Sequence, residues 1–294
     1  MRITALLVLT TFGCASVPEP PKSDVWEPFA GALADTQHRN LTSEITGRTY
    51  QISVALPENY ATSNETYPVL YAVDANEQFG TVVETARILN LRNTVPELIV
   101  VGIGYPVGRS TNARPFRRVD LSPTEDSELM PEGGGGGAPG FLEFIRRELI
   151  PLIELEFRAN SADRALYGHS LGGLFALYAL LEGEGTFQNV IAGSPAIGWN
   201  HRVIYQMESA YADKHNSLPA QLFISCGVLE DHPGYGQSLS NIKKFVALLE
   251  TRRYSELQIK TGYFEDETHL SVIPATISRG LRSIYEGHTA AESE

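Results

Sequence analysis

Tyr167-Gly168-His169-Ser170-Leu171-Gly172-Gly173 stands between a short β-type run, Ala165-Leu166-Tyr167, and an apolar stretch of helical spacing over residues 171–181. A serine between strand and helix sits on a sharp, strained turn; glycines two before and two after it remove side chains that would collide, and its hydroxyl projects above the sheet. The helix that follows aims its free N–H groups at the place where an oxyanion develops. Outward from this turn, apolar runs bounded by turn residues alternate with stretches of helical period, which predicts an α/β fold with a mostly parallel sheet and helices on both faces. Residues 50–56 alternate as a half-buried strand, while 68–73 and 98–103 read as buried strands; Val82, Val83, Ala86, Ile88 and Leu89 mark a helix between the last two. Strands are expected at 190–192, 222–226 and 257–264, and helices at 242–249 and 271–285. A helical stretch over 141–153 carries an expected kink at Pro151.

The 294 residues include 23 Lys and Arg against 35 Asp and Glu, a net charge of −12 that argues against nucleic acid as a partner. A hydrophobic fraction of 43 % supports one sizeable core rather than disorder. Two cysteines, Cys14 and Cys226, exclude a disulfide scaffold and a Cys-based zinc cluster. Glu230, Asp231 and His232 are adjacent on a loop and seldom converge on one ion, so no metal is expected. Residues 120–140 interrupt the rhythm with acidic residues and the glycines of 133–137; without a following Lys-Ser or Lys-Thr this is a surface loop or an active-site rim, not a phosphate cradle.

Met1-Arg2 and the apolar run 3–12 have signal-peptide proportions, and the run is shorter than the about 20 residues of a membrane helix. Thr11-Phe12-Gly13-Cys14-Ala15-Ser16 resembles a bacterial lipobox, with Thr11 where Leu is preferred; secretory cleavage near Ala15 competes with lipidation of Cys14. The expected organisation is a signal peptide over 1–14, a tether and N-terminal extension over 15–41, a catalytic domain over 42–287 and a tail over 288–294. The protein would be exported from a bacterium, periplasmic or held to the envelope by a lipid on Cys14 alone.

Serine needs a base that is itself oriented by an acid. In α/β-hydrolases the chain order is Ser, acid, His, each following a strand. His269, between the last strand and the closing helix, fits that order, whereas His38, His201, His215 and His288 fail on order, strand context or position. After the strand at 222–226 stand Glu230 and Asp231; Glu230 is the first choice and Asp231 the alternative, with a Ser-His dyad near Glu267 as a third arrangement. The backbone N–H of Leu171 is the first oxyanion donor, and that of Asn76, after the third strand, the second. Trp199 and Arg118 are candidate substrate contacts, with Arg114 and Arg117 beside the latter.

Leu56-Pro57-Glu58-Asn59-Tyr60, Tyr67-Pro68-Val69-Leu70-Tyr71, Val101-Gly102-Ile103-Gly104-Tyr105, Asp120-Leu121-Ser122-Pro123-Thr124, the serine turn and Ser194-Pro195 recur in order. Together they resemble the esterase group of α/β-hydrolases that includes esterase D and the enterobactin esterases. The resemblance implies an α/β-hydrolase fold without a large cap domain and a Ser-acid-His hydrolase acting on small-molecule carboxylic esters with no cofactor. Siderophore-ester hydrolysis and acyl transfer are the alternatives on the same scaffold, and a noncatalytic ligand-binding lipoprotein the remaining one. The resemblance places the oxyanion turn at Asp74-Ala75-Asn76, where many members carry Gly instead of Ala75; the methyl would matter if that residue needs a positive φ.

Overall fold

The computed structural model describes residues 33–107, 110–128, 134–231 and 238–288. The signal peptide, Cys14, the tether over 15–32, Gly133, His232 and residues 289–294 lie outside them. One eight-stranded sheet organises the described chain, in the order β1-β2-β4-β3-β5-β6-β7-β8. Its strands are β1 (Thr36–Thr42), β2 (Thr49–Ala55), β3 (Tyr67–Val73), β4 (Ile99–Gly104), β5 (Ala159–His169), β6 (Asn189–Gly193), β7 (Ser217–Gly227) and β8 (Ser255–Phe264). β2 runs antiparallel to both neighbours, and every pairing from β4 to β8 is parallel.

Parallel strands need crossover helices, which cover both faces and force the strands to be apolar on both sides. Strand alternation does the sorting. Val69, Tyr71 and Val73 face one cluster with Leu166, Val190 and Ala192, while Leu70 and Ala72 face the other with Ala165, Tyr167 and Ile191. Helices α1 (Ala75–Asn90) and α8 (Ile273–Ile284) seal the second face. The first is closed by α3 (Ala138–Phe144), α4 (Ile150–Glu156), α5 (Leu171–Glu182), α6 (Trp199–Ala212) and α7 (Ser238–Arg252). α5 is buried along nearly its whole length, so it reads as a continuous apolar run rather than an amphipathic stripe.

The break expected at Pro151 takes a specific form. A π-helical turn, Ile145–Leu149, joins α3 to α4, and the Ile150 N–H reaches back five residues to the Ile145 carbonyl. Pro151 has no N–H to continue the four-residue ladder, and the wider turn accommodates the gap.

Three elements escape the sequence pattern. β1 is polar and largely exposed, Thr-Gln-His-Arg-Asn-Leu-Thr, yet pairs along its full length with β2. The sheet therefore begins at Thr36, inside the stretch expected to be an extension. Helix α2 (Ser110–Asp120) contains Pro115 and few apolar residues. α6 opens with Asn200, His201 and Arg202 all in left-handed backbone, at φ 39°, 51° and 63°, which masks its period. No helix among the described residues is long and apolar enough to cross a membrane.

Candidate active site

Ser170 joins β5 to α5 with φ 61° and ψ −118°, a conformation that L-residues adopt only when their surroundings enforce it. Its N–H donates to the Gly193 carbonyl at 2.9 Å, and its carbonyl accepts from Leu174 and Ala196 at 2.9 and 3.0 Å. The flanking glycines are a packing requirement: a Cβ on Gly168 would stand 2.1 Å from the Gly172 carbonyl oxygen, and one on Gly172 2.8 Å from Val73 Cγ2. The turn thus presses directly on its own helix and on the end of β3.

Three residues from three strand ends meet there. Ser170 Oγ lies 2.9 Å from His269 Nε2, and His269 Nδ1 lies 2.7 Å from Glu230 Oε2. Glu230 is fully buried in the short turn Val228–Glu230 that ends β7; its other oxygen accepts from the Ser194 hydroxyl at 2.6 Å and the Gly227 N–H at 2.9 Å. Burial alone would raise the Glu230 pKa, but hydrogen bonds from His269, Ser194 and Gly227 outweigh it and hold the carboxyl below its ordinary value. It is a carboxylate at neutral pH, oriented toward the histidine. The two loops are also tied backbone to backbone, Leu229 N–H donating to the Glu267 carbonyl at 3.1 Å.

The choice between adjacent acids resolves by geometry. Asp231 turns outward to accept from the Ser240 N–H at 3.1 Å and from the Ser240 hydroxyl, at the start of α7. Glu267 accepts from the Ser271 hydroxyl within its own turn. Among the described residues no three His, Cys, Asp or Glu side chains converge as a metal cluster.

The backbone N–H groups of Leu171 and Asn76 open α5 and α1, where first-turn amides have no preceding helical acceptor. The positive φ of the oxyanion turn falls on Asp74, at 58°, and not on Ala75, which is already helical. The methyl of Ala75 therefore meets no conformational objection. Asn76 uses its side chain to stitch α1 to the end of β4: Nδ2 donates to the Tyr105 carbonyl and Oδ1 accepts from the Tyr105 N–H, both at 2.8 Å. Only its amide is left for an oxyanion.

Arg117 does not face a substrate. Its Nε and Nη2 grip the two oxygens of buried Asp74 at 2.6 and 2.7 Å, a bidentate pair that fastens α2 to the oxyanion turn. Arg118 runs beside Gly134 of the glycine loop, and Arg114 is exposed. Trp199 is 5 % exposed and donates its indole N–H to the Thr124 carbonyl at 2.9 Å. Its role as an open substrate contact gives way to packing under the loop. The loop is gripped further by Asn200, whose N–H donates to Asp126 at 2.7 Å and whose Nδ2 donates to Thr124 Oγ1 at 2.8 Å.

Sequence reasoning passed over Ser194 as a partner of the acid. It stands at φ 37° after β6, and its only sequence signal was the Ser194-Pro195 pair.

Residues 43–230 match the family described as Putative esterase. The chain belongs to this esterase family. The ferri-bacillibactin esterase BesA of Bacillus subtilis is 33 % identical over 86 % of this chain and 90 % of its own. The siderophore triacetylfusarinine C esterase of Aspergillus fumigatus is 34 % identical over 82 % of this chain and 90 % of its own. The crystal structure of the BES protein from Bacillus cereus superposes with a TM-score of 0.78 at 29 % identity, covering 89 % of this chain and 99 % of that one. This esterase is an α/β-hydrolase that cleaves carboxylic esters.

Proposed function

We propose that this esterase hydrolyses the ester linkages of an iron-chelating siderophore through an acyl-enzyme on Ser170. The observation that carries the chemistry is the continuous chain Ser170 Oγ, His269, Glu230, with links of 2.9 and 2.7 Å. His269 Nε2 takes the hydroxyl proton as Oγ attacks the ester carbonyl. The N–H groups of Leu171 and Asn76 receive the oxyanion, and Glu230 steadies the imidazolium. Collapse expels the alcohol, which takes the proton from His269; a water deprotonated by His269 then attacks the acyl group and frees the acid and Ser170.

The siderophore reading rests on the relatives named above. It is supported by cations on an otherwise acidic chain: Arg114 and Arg118 have no acidic partner among the described residues, and a cleft of about 270 Å³ between α6 and α7 is lined by Arg202 and Lys244 together with Tyr205, Gln206 and Asn241. Such groups suit a ligand rich in anionic oxygens. Export and lipid attachment at Cys14 are part of the proposal; the mass of the mature N-terminal peptide tests them.

The deciding experiment follows, by chromatography, a catecholate tri-ester, a hydroxamate ester siderophore, a feruloyl ester and a short-chain acyl ester in parallel. Preferential loss of a siderophore ester, abolished by Ser170→Ala, is the expected result. Cleavage of the feruloyl or acyl esters with both siderophores intact would overturn it.

A further inference from the structure

His169 precedes the nucleophile in sequence, but its side chain does not join the hydrogen-bonded relay. It is 2 % exposed; neither ring nitrogen meets a partner at full hydrogen-bond geometry, and a weak approach to the His269 backbone is its one polar contact of note. A neutral imidazole always carries one N–H donor and one acceptor. A buried imidazole with no more than one weak polar contact is unfavourable, so a hydrocarbon side chain would serve packing alone better. The ring instead lies against His269, with centroids 4.7 Å apart and planes inclined by 46°. Its other side is closed by the β6 backbone: a Cβ on Gly193 would stand 3.1 Å from its Nδ1. His169 is thus a plate fixed between the sheet and the ring of the base.

We propose that His169 is a positioning residue for His269: a neutral aromatic wall that holds the base's ring in the plane joining Glu230 to Ser170. Hydrogen bonds at the two nitrogens fix a histidine ring along the line through them, and an aromatic neighbour against its face adds restraint about that line. The wall must also be uncharged, because His269 becomes an imidazolium in the transition state and a second cation against it would oppose that step. Burial, then the nearby His269, push the His169 pKa down to about 3, which keeps it neutral throughout the working range. The π face of a neutral ring is moreover a favourable neighbour for a transient cation.

This inference rests on the acyl-enzyme reading, and its test separates the two. His169→Ala should lower kcat about ten-fold with KM unchanged, because misalignment of a catalytic group is felt in the chemical step. It should also broaden or shift the low-field proton resonance of the His269–Glu230 hydrogen bond. His169→Phe, which keeps a flat neutral ring, should recover most of kcat and the sharp resonance. His169→Leu, which fills the space without a flat face, should fall between them and serves if the alanine variant unfolds. Wild-type kcat and an unchanged resonance in the alanine and leucine variants would overturn the proposal, as would a loss confined to KM. The resonance is read without substrate, so a wild-type protein that forms no acyl-enzyme would refute that reading and still leave the wall tested.

Discussion

The turn at Ser170 and the rim formed by α2, the loop over 120–137 and the start of α6 are shaped by different forces. At the turn, backbone meets backbone: glycines at 168 and 172 let strand, turn and helix touch, and the serine's own peptide groups are bound on both sides. At the rim, shape comes from side chains gripping distant side chains and backbone, Arg117 on Asp74, Trp199 and Asn200 on Thr124, Asp126 on Asn200. The difference teaches where tolerance to change lies. A contact made by missing side chains is destroyed by adding any atom, whereas a polar clip can be replaced by another of similar reach.

Predictions that break or sharpen this contrast run from chemistry to conformation. Ser170→Ala should remove about four orders of magnitude or more from kcat on any ester substrate; measurable turnover near wild type would dissolve the special status of the turn. Glu230→Gln should cost about four orders in kcat, while Asp231→Asn leaves kcat alone and removes at most about 1 kcal/mol of cap stability. Equal losses in the two would contradict the geometry that separates them. On the rim, Arg117→Ala strands the Asp74 carboxylate and should destabilise by about 2–4 kcal/mol with about a ten-fold fall in kcat as the oxyanion turn loosens. Urea unfolding and steady-state kinetics measure both, and a change in neither would cut the rim off from the catalytic turn.

Smaller effects test the conformational side. Burial pushes the Asp120 pKa up to about 6 despite its contacts with Arg48, Tyr105 and Tyr50, against an unfolded value of about 3.9. The folded chain therefore holds this proton where the unfolded chain has released it, and stability from this group falls as pH rises from about 4 to about 6. The Tm difference, wild type minus Asp120→Asn, should shrink by a few degrees across that window; a constant difference would show that the carboxyl does not titrate there. Last, His201→Gly should raise stability by about 0.5–1 kcal/mol, since glycine relieves left-handed backbone at φ 51°. A loss would mean that the histidine side chain itself holds the rim.

The same contrast governs what was legible. The parallel sheet and the positions of Ser170 and His269 at its strand ends could be read because buried strands are continuous apolar runs and the turn requires glycines at fixed offsets. Glu230 was the first choice for the acid, with Asp231 and an arrangement near Glu267 left open, because side-chain direction in a turn of three residues follows from its hydrogen bonds, here to Gly227 and Ser194. Arg117 and Trp199 were read as candidate substrate contacts, on helices that the sequence pattern did not show, and their partners Asp74 and Thr124 were not read at all. A clip between Arg117 and Asp74 spans 43 residues and leaves no periodicity. α2 and α6 stayed hidden for related reasons: one is polar and interrupted by Pro115, the other begins against helical backbone preference.

β1 was missed because its residues face water on most sides, and that polarity has a consequence for the protein in concentrated solution. The outer edge of a sheet is an open row of hydrogen-bonding groups on which another chain can grow a strand. Here that edge carries Gln37, His38, Arg39 and Asn40, all exposed, with Arg39 bonded to Glu156 at 2.7 Å. A second molecule adding itself there would have to strip water from charged and amide side chains without gaining an apolar face. The strand that gave no hydrophobic signal is in this way a guard against fibrous self-association.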